Sequence, residues 1–341
     1  MRAVQLAKYD TNPDLVEVPD PALQGPLDIV VKIGGAGVCR TDLHIIEGQW
    51  AAKTDVPLPY TLGHENAGWV AAVGDAVTNV EVGDAVILHP LVTCGLCRAC
   101  RDGDDVHCAN SSFPGIDSDG GYAEYLRTTA RAAIKLDPAL EPAGVAALAD
   151  AGLTAYHAVA KAVRKLRPGD RAVVFGAGGL GHIGVQVLRA LSSVEMIVVD
   201  RSPEALALAK ELGADHTVLA DGSQVAHIQD LTDGAGAEAV IDFVGEGGAV
   251  EDGVAVLRRN GNYYVIGYGG AINVPTIDII STEINFIGNL VGSYNDLAEL
   301  MVLAARGRVS LHTARYPLTE YQAALDDLDH GRVRGRAILV P

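Results

Sequence analysis

Positive charge is scarce in this chain. Its 26 Lys and Arg stand against 43 Asp and Glu, a formal net charge of −17 over 341 residues. Phosphate-backbone binding is driven by clustered Lys and Arg, so nucleic acid is excluded as a partner. The surplus of one sign favours solubility instead. Long apolar runs are missing too. No stretch approaches the ~18 uninterrupted apolar residues of a membrane span, and MRAVQLAKYD has no apolar core of signal-peptide length. A cytoplasmic protein with no membrane partner is therefore expected. Cysteine is the third scarcity, at five residues. They are too unevenly placed to form the disulfide framework of a small secreted domain.

Four of those five crowd into one segment, as Cys94-x2-Cys97-x2-Cys100-x7-Cys108. Four thiolates at short spacing can close a tetrahedron around Zn²⁺ at about 2.3 Å each, leaving no open position. Such a closed site is structural, and here it would staple the polar loop RACRDGDDVHCAN. An iron–sulfur cluster is the rival, since four cysteines hold those as well, but the spacing matches neither common ferredoxin run.

At this length a single core stops growing, so two domains are expected. Up to about Asp150 the chain reads as short β segments with frequent turn residues: LDIVVKIGG (27–35), WVAAVG (69–74), DAVILHP (84–90). That pattern suits an antiparallel, partly closed β domain. Beyond it, strands alternate with helices. RAVVFGAG (171–178), MIVVD (196–200), AEAVIDFVG (237–245) and GNYYVIGYG (261–269) are apolar strands with helical stretches between them. Such alternation implies right-handed βαβ units and a parallel sheet. Near residue 293 the pattern shifts again, to a helix around DLAELMVLAARGR and a closing strand at RAILVP.

Strand RAVVF runs into Gly176-Ala177-Gly178-Gly179-Leu180-Gly181, a G-x-G-x-x-G motif with a helix opening directly behind it. The glycines allow the tight turn, the approach of a pyrophosphate and close helix–strand packing, and the helix N-terminus favours the anion. Asp200 ends the next strand, where a carboxylate accepts hydrogen bonds from the adenosine ribose and repels a 2′-phosphate. NAD is thus expected over NADP, although Arg201 beside it could greet a phosphate.

The fifth cysteine, Cys39, lies in Gly37-Val38-Cys39-Arg40-Thr41-Asp42-Leu43-His44, and His64 lies in Gly63-His64-Glu65. An isolated cysteine reads first as a small buried hydrophobe. Together with the four-cysteine lobe and the glycine motif, however, these segments resemble the zinc-containing medium-chain alcohol dehydrogenase family. The likeness runs from RAVQL to RGRAIL and is nearest to bacterial secondary-alcohol and aryl-carbonyl dehydrogenases. It implies an α/β fold with a GroES-like, partly open β-barrel catalytic domain (1–151 and 293–341). A Rossmann, doubly wound parallel-sheet NAD-binding domain would occupy 152–292.

The resemblance also implies roles. Cys39 and His64 would be catalytic-zinc ligands, and Glu65 the carboxylate that approaches the metal during ligand exchange. Many relatives place a third cysteine ligand before a Gly-x-Thr-x-Tyr segment. Here that stretch reads Leu148-Ala149-Asp150-Ala151-Gly152-Leu153-Thr154-Ala155-Tyr156, and Asp150 stands in the cysteine's place. Zinc accepts aspartate oxygen, so Cys39, His64 and Asp150 would form a neutral site with one open position. A carboxylate donates less density than a thiolate, which should leave a sharper Lewis acid. The blander reading is that Asp150 caps the helix behind it.

By the same likeness, zinc stabilises an alkoxide, and Thr41, the NAD ribose and then His44 carry the proton to solvent. The plain alternative is that Thr41 caps a helix and His44 is a solvated surface residue. Arg40 and Arg336 would face the cofactor pyrophosphate, and Thr154 and Val244 the nicotinamide. Trp50, Leu58, Phe113, Ile116 and Leu290 are candidate walls of an apolar substrate cleft, each equally readable as core. The expected cofactors are two zinc ions per chain and NAD(H), and the expected partners are small alcohols, aldehydes or ketones. A polyol or sugar dehydrogenase on the same fold is the nearest alternative. A non-catalytic cofactor-binding protein is the other, against which the joint presence of Cys39, Thr41, His44, His64 and Asp150 argues. Analogy implies a homotetramer, with a dimer as alternative, joined along the strand-like segment 285–293.

Overall fold

The structure is a computed structural model and describes all 341 residues. The chain folds into two compact units, Met1–Leu153 with Ser293–Pro341, and Thr154–Gly292.

The first unit is built on the long strand Asp28–Val38, buried along most of its length. It pairs antiparallel with Glu65–Val73, with Tyr125–Thr129 and with Arg336–Val340. Ala85–Leu88 and Ala133–Lys135 extend the sheet beyond Glu65–Val73. Two register shifts interrupt the Asp28–Val38 ladder. Such bulges bend a strand and increase its twist, which lets a sheet curl over its own core. Val31, Ile33, Leu62, Val86, Leu126 and Leu339 are among the residues buried inside. The expected antiparallel pairing has one exception among the strands: Thr313–Pro317 joins Arg336–Val340 in parallel. The connecting helix Tyr321–Asp329 makes that crossover possible.

Register positions the chemistry. Gly37 lies opposite Glu65, so the chain leaves one strand at Cys39 and enters its neighbour from His64. Two residues 25 positions apart are thereby brought to one end of the sheet.

The second unit is a six-stranded parallel sheet. Its spatial order is His216–Leu219, Glu195–Asp200, Arg171–Phe175, Ala237–Asp242, Leu257–Val265, Asn285–Gly288. Strands covered on both faces are apolar throughout, which explains the unbroken runs AVVF, MIVV and AVI. The third strand in this row is first in sequence, so strand order reverses beside it, where open α/β sheets bind ligands beyond the strands' carboxyl ends. The strand expected over 261–269 occupies Leu257–Val265 instead. Leu257 pairs with Ala237 across a bulge, and the chain turns away at Gly267, whose N–H donates to Asp242 O. No helix is long and apolar enough to cross a membrane.

Candidate active site

The lobe between Cys94 and Cys108 contains two short helical turns, Arg98–Arg101 and Asp105–His107. All four cysteines are free thiols, and their sulfurs lie within 4.8 Å of one another. Cys94 and Cys108 Sγ are 3.5 Å apart, near the ~3.8 Å edge of a tetrahedron with zinc–sulfur arms of about 2.3 Å. Backbone N–H groups of Cys94, Cys97 and Asn110 donate to these sulfurs at 3.3–3.4 Å. The N–H groups of Leu96 and Cys97 hold the Cys94 thiol down at about 6. Burial and the adjacent sulfurs push Cys100 up to about 12. Thiols packed this closely cannot all ionise unaided, and a divalent cation removes the conflict. Replacing Cys100 by serine is expected to cost one zinc per chain and several degrees of thermal midpoint. Elemental analysis with a thermal melt checks this, and an undiminished zinc content would exclude the lobe as a metal site.

The second cluster forms where Cys39 and His64 meet. Cys39 is the N-cap of helix Arg40–Ile46, and its N–H donates to Asp42 Oδ2 at 2.8 Å. The capping carboxylate is thus Asp42 and not the Thr41 hydroxyl. Cys39, His64, Glu65 and Asp150 each offer a ligand atom, all within 4.8 Å of one another. His64 is buried, with Nε2 3.4 Å from Asp150 Oδ2 and Nδ1 3.2 Å from Asp42 Oδ1. Neither ring nitrogen has a partner in hydrogen-bond geometry.

Burial by itself would lower the imidazole's pKa, but Asp42, Asp150 and Cys39 outweigh it and push it well above the usual range. The surroundings therefore demand positive charge. Zn²⁺ would supply it, and thiolate sulfur, imidazole nitrogen and carboxylate oxygen are all zinc donors. Asp42 would then hold the Nδ1 proton and leave the Nε2 lone pair for the metal.

Glu65 ties the cluster together. Its Oε1 accepts the Ala151 N–H at 2.9 Å, immediately after Asp150, and its Oε2 accepts from Arg336 Nη2. Burial raises the Glu65 pKa against the pull of that guanidinium. Arg336 is itself buried, with only 3% of its surface exposed.

In the second unit, Gly176 adopts φ +87° at the end of strand Arg171–Phe175, a conformation that favours glycine. A Cβ on Gly181 would lie 1.8 Å from Gly176 O, so helix Gly181–Leu191 can start this close only without a side chain. A Cβ on Gly178 would meet nothing within 4 Å. The turn is a backbone cradle with open space above it, as a pyrophosphate requires. Asp200 Oδ2 accepts the Ala177 N–H at 2.7 Å and Oδ1 the Ser202 N–H at 2.8 Å. The carboxylate is thereby fixed at the rim of the cradle. Val244 packs against Gly176, while Arg201 is exposed and Thr154 half-buried.

The remaining candidates scatter. Thr41 and His44 are half-buried on the helix that follows Cys39, and Arg40 is exposed. Phe113 stands edge-on to His64, with ring centroids 5.9 Å apart. Trp50 and Leu58 pack on the first unit's core, and Ile116 is buried within it. Leu290 is exposed on the second unit.

Residues 25–138 match the family described as alcohol dehydrogenase GroES-like domain, and residues 179–306 that described as zinc-binding dehydrogenase. Over the full length of both chains, the sequence is 36% identical to the NAD-dependent alcohol dehydrogenase of Sulfurisphaera tokodaii. It is 34% identical to the D-arabinose 1-dehydrogenase (NADP(+)) of Saccharolobus solfataricus, over 100% of this chain and 97% of that one. The crystal structure of the alcohol dehydrogenase from Aeropyrum pernix superposes with a TM-score of 0.96 at 45% identity, covering all of both chains. This chain belongs to the zinc-binding alcohol dehydrogenase family.

As a zinc-binding dehydrogenase of the medium-chain type, it has the GroES-like and Rossmann fold that the sequence led us to expect. Sequence reasoning missed Asp42, the buried carboxylate behind His64. The sequence offered little signal for it, because Cys39 is not among the usual helix N-cap residues. It also missed Asp242, whose buried carboxylate accepts from Tyr263 and from the N–H groups of Val244 and Gly245. That acid fixes the backbone beside Val244, and no local pattern announced it.

Proposed function

We propose that this zinc-binding dehydrogenase catalyses reversible hydride transfer between NAD and a primary or secondary alcohol, with aryl or otherwise hydrophobic alcohols foremost. The observation that carries the reading is the Cys39–His64–Asp150 cluster, two buried donors and one half-buried, held in place by Asp42 and Glu65. When bound there, zinc supplies a Lewis acid for the substrate oxygen, and NAD supplies the hydride acceptor. Thr41 takes the hydroxyl proton and His44 returns it to solvent. Glu65 keeps Asp150 in place through Ala151 and is itself held by Arg336. Phe113, edge-on to His64, supplies an apolar wall, with Trp50, Ile116 and Leu290 as further candidates.

The glycine cradle Gly176, Gly178, Gly179, Leu180 and Gly181 receives the cofactor pyrophosphate, and the exposed Arg40 is assigned as a cation for it, whereas Arg336, buried against Glu65, serves that carboxylate instead. Thr154 and Val244 serve the nicotinamide. The catalytic domain is assigned to 1–151 and 293–341, and the cofactor domain to 152–292. A homotetramer is proposed, with a dimer as the alternative, joined along the segment 285–293, whose strand Asn285–Gly288 is paired on one side only. A cytoplasmic location is proposed from the few, unevenly placed cysteines.

Asp200 decides the cofactor. Charge-assisted hydrogen bonds to the ribose contribute roughly 1.5–3 kcal/mol, so Asp200→Ala is expected to lower the NAD-over-NADP ratio of kcat/KM by roughly 10- to 100-fold. Unchanged selectivity would remove Asp200 from this role.

The D-arabinose relative keeps a sugar-dehydrogenase reading in play. The substrate class is tested by comparing a secondary aryl alcohol with sorbitol and D-arabinose, each with NAD and with NADP. A clear preference for the aryl alcohol with NAD is expected, and a preference for either polyhydroxy compound would overturn the assignment.

A further inference from the structure

Behind the zinc donors lies one more polar group, the phenol of Tyr122. Its ring is fully buried, and its hydroxyl donates to Asp42 Oδ2 at 2.7 Å. Gly37 O lies 3.1 Å away, but a phenol has one proton and the carboxylate is the nearer and charged acceptor. The Cys39 N–H donates to the same Oδ2 at 2.8 Å. Both donors converge on one oxygen of Asp42. The other oxygen, Oδ1, has no hydrogen-bond partner of its own and faces His64 Nδ1 at 3.2 Å.

This division of labour has a physical consequence. A buried carboxylate must be satisfied by donors, and two donors on one oxygen also fix the plane of the group. Asp42 is then unable to swing away from the imidazole. The orientation of His64 depends on Asp42, and that of Asp42 depends on Tyr122.

Packing holds the phenol equally firmly. Gly63, directly before His64, has φ +99°, and a Cβ there would lie 2.2 Å from Tyr122 Cδ1. The Tyr122 N–H donates to Leu62 O at 2.8 Å, and the Gly121 N–H to Gly63 O at 2.7 Å. The ring is seated on the backbone that leads into His64, while its hydroxyl reaches the helix that starts after Cys39.

We propose that Tyr122 is a positioning residue for the catalytic metal. Acting through Asp42, its hydroxyl sets the orientation in which His64 presents Nε2. The inference rests on Cys39, His64 and Asp150 being the zinc ligands.

Tyr122→Phe removes the hydroxyl and keeps the ring. Partners that orient a metal ligand typically contribute 10- to 100-fold in affinity. The variant should therefore release its catalytic zinc to a chelator about 10- to 100-fold more readily, with the lobe zinc held as before. The Co²⁺-substituted form should show a shifted visible spectrum. In an Asp42→Asn background the same substitution should have little further effect, since coupled residues are not additive.

Wild-type zinc release in Tyr122→Phe would overturn the proposal. So would a full, additive effect on top of Asp42→Asn, which would make the phenol a packing element only. Should Tyr122→Phe fail to fold, Asp42→Asn alone decides the matter, because unchanged zinc release there breaks the chain of action. Failure of wild type to hold zinc at this cluster would remove the ligand assignment and the proposal together. Unaltered release in Tyr122→Phe from a wild type that does hold it removes only the proposal.

Discussion

Replacing Asp150 by alanine is expected to lower turnover at least ~10³-fold, because it withdraws an anionic donor from a metal whose charge stabilisation contributes several kcal/mol. The cluster would keep one sulfur and one nitrogen donor, too few for the three-ligand site of a catalytic zinc. Elemental analysis should show one zinc per chain fewer, with the lobe still loaded. Asp150→Cys is the matching control. It restores three donors with a softer atom, so zinc should return while turnover changes. An Asp150→Ala protein that keeps its zinc and its activity would reduce Asp150 to the residue before helix Ala151–Val163.

The second large effect is expected at Thr41. A positioned proton acceptor contributes ~10²–10⁴-fold to rate, so Thr41→Val, which preserves shape and removes the hydroxyl, should lower kcat by that order. Zinc content and thermal midpoint should stay at wild-type values. The helix start does not depend on Thr41, since Asp42 provides its cap, and this separates a loss of chemistry from a loss of fold. Substantial kcat in Thr41→Val would move the proton route elsewhere.

The two metal clusters differ in how far sequence reveals them, and the reason is distance along the chain. Cys94, Cys97, Cys100 and Cys108 lie within fifteen positions, so spacing alone implies a tetrahedron. Cys39, His64 and Asp150 are separated by 25 and 86 positions, and only the register that sets Gly37 opposite Glu65 brings the first two together. No local pattern encodes that register, and the assignment depended on family resemblance. The supports are more distant still: Tyr122 is 80 residues from Asp42, and Arg336 is 271 from Glu65. The parallel sheet was legible because strands buried on both faces are apolar throughout. Strand ends were less so, as at Leu257–Val265, where a bulge and a departing glycine set the limits.

The central claim is that a metal held by Cys39, His64 and Asp150 enables NAD to accept hydride from an alcohol. The direct measurement is alcohol-dependent NADH formation by the purified protein. It is followed as isolated, after a chelator has withdrawn the more labile zinc, and after zinc is restored. The expected record is activity, loss of activity with about one zinc per chain remaining in the lobe, and recovery. Alcohol oxidation that persists undiminished after that zinc has left would contradict it.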